Sequence, residues 1–194
     1  MARVATDISF EQVPEELRTL AERGLSNARR ELELTGKLNP GVFLRNPDGN
    51  IETIQLNNQM SRLFFGNGAS RGAFFKALRA TVEIGRVTAV VMVTDMYTAK
   101  PTAQFERLPF EEKKRVIDGN PSIDALVQRG LMTRHEAIMV NVQTAEQVAM
   151  VEQIYERDTV NRRITWGVRT ANCFPQETLD GRMKMFGKQE GQKA

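Results

Sequence analysis

The sequence predicts an α+β fold: a mainly antiparallel sheet with helices packed on one face and a small helical insertion between two central strands. Three observations carry that reading. Val87–Val93 is apolar apart from Thr88 and contains four valines; such a short β-branched run fits a strand covered on both sides. Gly41–Arg45 and Ile51–Leu56 flank Asn46-Pro-Asp-Gly-Asn50, a strong hairpin signal. Runs of strands without regular βαβ alternation then point to an antiparallel sheet.

Taken in order, the chain opens with about ten mixed residues, expected to be mobile unless they add to a sheet edge. Pro14 suits the first position of a helix, and Glu15 and Glu16 complement its positive end. Leu17, Leu20, Ala21, Leu25, Ala28 and Leu32 recur at helical spacing until Gly36, where a C-terminal cap is expected. The hairpin follows. Ser70 then caps a second expected helix bearing Phe74, Leu78 and Val82, which Gly85 ends ahead of the central strand.

Residues 98–134 are too many for a simple connection and should hold structure of their own. Pro109 with Glu111 and Glu112 predicts one short helix, and Asn120-Pro121 opening toward Ile123, Leu126 and Val127 predicts another. Glu136–Gln143 reads as the strand that returns beside Val87–Val93. Thr144–Arg157 supports two readings. Thr144 with Gln147 resembles a capping box and Val148, Val151 and Tyr155 share helical spacing, while Met150, Glu152, Ile154 and Glu156 alternate. The extended hairpin into Arg163–Gly167 is favoured. The domain is expected to span 1–175, and residues 176–194 form a polar, basic tail expected to be mobile.

Composition narrows the function classes. The 194 residues carry a net charge of +3, and that small excess is unevenly placed. Residues 101–156 lean acidic, whereas the last third gathers Arg157, Arg162, Arg163, Arg169 and several lysines. Cys173 is the single cysteine and His135 the single histidine; an intrachain disulfide is excluded and zinc is disfavoured. No apolar run approaches the roughly 20 residues of a membrane helix. A cytoplasmic protein without a cofactor or bound metal is the expectation.

Several residue groups invite chemistry, each with a plainer alternative. Gly66–Gly72 before a helix, with Ser70, Arg71 and Lys76, is a candidate anion site, but it lacks the Gly-Lys-Ser/Thr ending of a phosphate loop. Its plainer role is a loop feeding the helix cap. Asp95 and Tyr97, with Lys100, follow the apolar part of one strand, and His135 precedes the other. With Asn141 they are candidates for a ligand pocket if they converge at one end of the sheet. Otherwise Asp95 ends its strand, His135 lies exposed, and Asn141 pairs across strands with a residue such as Thr88. Cys173 reads as a structural thiol, and Tyr155 and Trp166 as core or interface anchors.

Arg157, Arg162, Arg163 and Arg169 are the best nucleic-acid candidates, although Glu152, Glu156 and Asp158 lie close by. The leading expectation is a non-enzymatic accessory or regulatory protein acting through protein–protein contacts, self-association included. Nucleic-acid binding through the basic C-terminal third is the alternative. An enzyme or binder of a small phosphorylated ligand is the third reading.

Overall fold

The computed structural model describes residues 8–56, 60, 68–119, 121–158, 160–161, 163–179 and 184–186. Six strands form one sheet in the order β2-β1-β3-β4-β5-β6. They are β1 (Gly41–Arg45), β2 (Ile51–Gln55), β3 (Ala89–Pro101), β4 (Met132–Thr144), β5 (Gln147–Asp158) and β6 (Arg163–Pro175). Every pairing is antiparallel. Among the described residues the α-helices of four residues or more are α1 (Glu15–Thr35), α2 (Gly68–Ile84), α3 (Ala103–Glu106), α4 (Phe110–Asp118) and α5 (Ile123–Gln128). The α+β class and the antiparallel sheet are thus as the sequence predicts.

Helix α1 starts after Pro14 and ends at Gly36, whose φ of 70° is a left-handed cap that favours glycine. Its buried stripe of Leu17, Leu20, Ala21, Leu25, Ala28 and Leu32 lies on Val91, Val93, Ile138, Val140 and Val151. Burying each of its four core leucines contributes about 1.5–3 kcal/mol. Gly24 allows the close approach: a Cβ there would stand 3.2 Å from methyl carbons of both Val93 and Val140.

The second helix takes the other side. Phe74, Phe75, Leu78 and Val82 of α2 pack with Val90, Met92, Val42 and Leu44. Successive strand residues face opposite sides, so Val91 and Val93 meet α1 while Val90 and Met92 meet α2. The expectation of helices on one face therefore gives way to one long helix on each. The uninterrupted apolar run in β3 already required cover on both sides.

Thr144–Arg157 resolves as strand. The Thr144 hydroxyl accepts from the Gln147 backbone N–H at 3.1 Å and so closes the β4–β5 turn. The local bond that resembles a helix cap serves a hairpin instead. Ile8 makes a two-hydrogen-bond bridge with Ala171 on β6, while residues 1–7 lie outside the described residues. Of the tail, Gln176 and Met185 are buried; the Met185 backbone N–H donates to Gln143 Oε1 at 3.0 Å, and its side chain joins the α2 cluster.

β3 and β4 outrun their neighbours. β1 pairs only with Ala89–Val93, and β5 reaches only Glu136 of β4. Thr98–Pro101 and Met132–His135 therefore continue as a two-stranded ribbon. At its end Thr102 caps α3 and accepts from Phe105, and Ser122 caps α5 and accepts from Ala125. The insertion expected over 98–134 is this ribbon plus three short helices.

Candidate functional site

Residues placed in one candidate pocket by sequence separate onto two faces of the sheet. Asp95 lies opposite Ile138 and Tyr97 opposite Glu136, on the α1 side. His135 lies opposite Thr98 and Asn141 opposite Met92, on the α2 side. Asp95 does not end its strand, because β4 supplies ladder partners as far as Pro101, and His135 stands inside β4 rather than ahead of it. Asn141 accepts from Gln143 Nε2 at 2.8 Å, between Met92 and Met150; Thr88 instead bonds to Arg45.

Asp95 has partners that sequence distance concealed. The Tyr155 hydroxyl donates to Asp95 Oδ1 at 2.6 Å, and Arg157 donates to the Tyr155 oxygen at 2.7 Å and to Asp95 Oδ2 at 3.1 Å. The Arg157 Nε also pairs with Glu136 at 3.0 Å. A further Arg157 N–H donates to the carbonyl of Gly36, placing a cation at the C-terminus of α1. Burial, followed by the bond to Asp95, pushes the Tyr155 pKa well up. This phenol stays protonated at neutral pH. The cluster locks β3, β4, β5 and the end of α1 together.

Arg163 joins Arg157 along a cleft beside Leu32–Gly36, Asp158 and Ile164. Arg169 bonds to Gln153 Oε1 at 3.2 Å and lies over the Phe10 ring. Arg162 lies outside the described residues. Two of the four arginines chosen as nucleic-acid contacts thus direct N–H groups into the protein.

At the anion candidate, Ser70 and Arg71 stand inside α2, which has already begun at Gly68, so Ser70 does not cap it. The preceding glycine at 66 lies outside the described residues, and Lys76 is exposed on the helix. Cys173 is half-buried, and burial pushes its thiol pKa up, which suits an unreactive thiol.

The ribbon tip makes little use of its apolar side chains internally. Helices α4 and α5 bury no residue. Phe110 and Ile117 are seven residues apart, on one side of α4, and are 76% and 65% exposed; Ile123 at the start of α5 is 51% exposed. The tip carries Arg107, Lys113, Lys114, Arg115 and Arg129 against Glu106, Glu111, Glu112, Asp118 and Asp124, so its charge balances. Sequence marked these helices but not their exposure, because an amphipathic pattern does not say whether its apolar side finds a partner.

None of the described helices is long and apolar enough to cross a membrane. No protein-family model matches the chain, and neither curated proteins nor solved structures give a match.

Proposed function

We propose that this chain is a non-enzymatic accessory or regulatory protein of the cytoplasm that acts through protein–protein contacts, with the ribbon tip as its contact element. One observation carries the reading: two short helices at the end of a two-stranded arm expose Phe110, Ile117 and Ile123 and contain no buried residue. Large apolar side chains left exposed on a projecting element suit an interaction surface. Balanced charge on the tip favours protein over a polyanion. A second copy of the chain is the first partner to test.

Size-exclusion chromatography with light scattering supplies that test, alongside retrieval of partners on the immobilised protein. Association that disappears when Phe110, Ile117 and Ile123 are changed to serine supports the reading. A strict monomer that retrieves no protein argues against it. The nucleic-acid alternative rests on the basic C-terminal third and is weakened by the inward bonds of Arg157 and Arg169.

A further inference from the structure

Two guanidinium groups converge on one neutral oxygen. Arg29 of α1 and Arg169 of β6 both donate to Oε1 of Gln153, a side chain 2% exposed. The same amide's Nε2 donates to the carbonyls of Gly167 at 2.7 Å and Val168 at 3.4 Å. Those carbonyls belong to a β-bulge, where Gly167 and Val168 oppose the single residue Ile154. The bulge shifts the alternation of β6, so Trp166 as well as Arg169 turns toward α1. Trp166 then packs at a tilt against Tyr155 and under Arg29, whose guanidinium carbon lies 4.9 Å from the ring centroid.

Charge is only partly compensated here. Gln153 satisfies hydrogen bonds without neutralising either cation. Glu22 lies 3.9 Å from Arg169, and Glu33 accepts from Trp166 Nε1 at 3.1 Å; both line a cleft beside the pair, where Arg29, Arg30 and Arg169 outnumber them. Arg29 Nε is buried without a hydrogen-bond partner. Burial, and then the Arg169 charge, pull the Arg29 pKa down. The cleft holds about 470 Å³ and is also lined by Ser26.

We propose that this cleft binds a small oxyanion, a carboxylate or phosphate group, held between Arg29 and Arg169 on the platform made by Gln153 and Trp166. Guanidinium groups present paired N–H donors suited to such oxygens. An anion between them supplies the charge that the neutral amide lacks. Ser26 and Arg30 line the same cleft and add donors for a larger ligand. This site is separate from the ribbon tip, so its failure leaves the contact reading intact.

Thermal unfolding in phosphate, acetate and citrate, each compared with chloride at equal ionic strength, is the test. Saturable stabilisation by at least one oxyanion is expected, reaching about 5–10 °C in Tm at a hundredfold excess over Kd. Arg169→Gln and Arg29→Gln should remove it, while exposed Lys76→Gln should not. Response to phosphate alone assigns a phosphate ligand; response to acetate and citrate as well assigns a general carboxylate site. No stabilisation beyond chloride in the unaltered protein overturns the proposal, whether or not the variants fold. Oligonucleotide binding with a steep salt dependence and no response to small anions would also overturn it, in favour of a polyanion surface.

Discussion

Tyr155→Phe isolates the polar lock at the end of α1. The ring stays, so no cavity opens and only the hydroxyl's two bonds are lost, to Asp95 at 2.6 Å and from Arg157 at 2.7 Å. Hydrogen bonds to charged groups contribute about 1.5–3 kcal/mol each. Two facts reduce that sum. Arg157 and Asp95 keep their direct contact at 3.1 Å, and their side chains remain 26% and 30% exposed, within reach of water. A net loss of about 2 kcal/mol follows, or roughly 4–8 °C in Tm for a chain of this size. Urea unfolding should show a lower midpoint with an unchanged m-value.

The pH dependence has a defined sign. The folded-state Tyr155 pKa is raised above its ordinary value of 10.0, so the folded protein holds the proton more tightly. The associated stability is complete below pH 10 and declines above it. The gap between wild type and Tyr155→Phe should therefore narrow as pH rises beyond 10. A loss under about 0.5 kcal/mol at pH 7, within the range of an ordinary surface change, would refute the lock.

Other perturbations test separate parts of the structure. Burial alone would raise the Glu152 pKa, but hydrogen bonds led by that from Lys100 hold it below its model-compound value of 4.5. That stability is present above pH 4.5 and is lost as pH falls through the folded pKa. Lys100→Met should cost about 2 kcal/mol at pH 7, after allowance for partial exposure, and much less in acid; a pH-independent loss would contradict this. Gly24→Ala sets a helix gain of about 1 kcal/mol against crowding of Val91, Val93 and Val140. Overpacking costs about 1–3 kcal/mol, so denaturant melts should show a net loss near 1 kcal/mol, and a more stable alanine variant would refute the close approach. Met185→Ala should destabilise by about 2 kcal/mol or more in the same assay if the tail contributes to the α2 cluster.

Much of the fold was legible because it rests on local chemistry. The α1 stripe, the Asn46–Asn50 turn and the valines of β3 each dictate their element over a few residues. The pairing of Ala137–Val142 with Val91–Met96 was also readable, since two apolar strands joined by an insertion are natural neighbours. Strand ends were harder. Thr98–Pro101 is largely polar and lies in a ribbon without a third strand, so burial leaves no alternating pattern there.

The candidate sites depended on register, which sequence does not display. Asp95 and His135 fall side by side when strands are drawn as lines, yet their pairing puts them on opposite faces. Asp95 instead meets Tyr155 and Arg157, some 60 residues onward. Trp166 and Arg169 share a face only because of the bulge opposite Ile154. A bulge alters side-chain direction without altering composition, so periodicity could not reveal that pairing.

The most direct measurement of the central claim is photo-crosslinking from Ile117 on the ribbon tip, with exposed Glu146 in the β4–β5 turn as the control position. The protein-contact account predicts a discrete crosslinked species from Ile117, either a second copy or another protein, and none from Glu146. No crosslinked species from Ile117, together with capture from Glu146, would place the contact surface elsewhere and contradict the account.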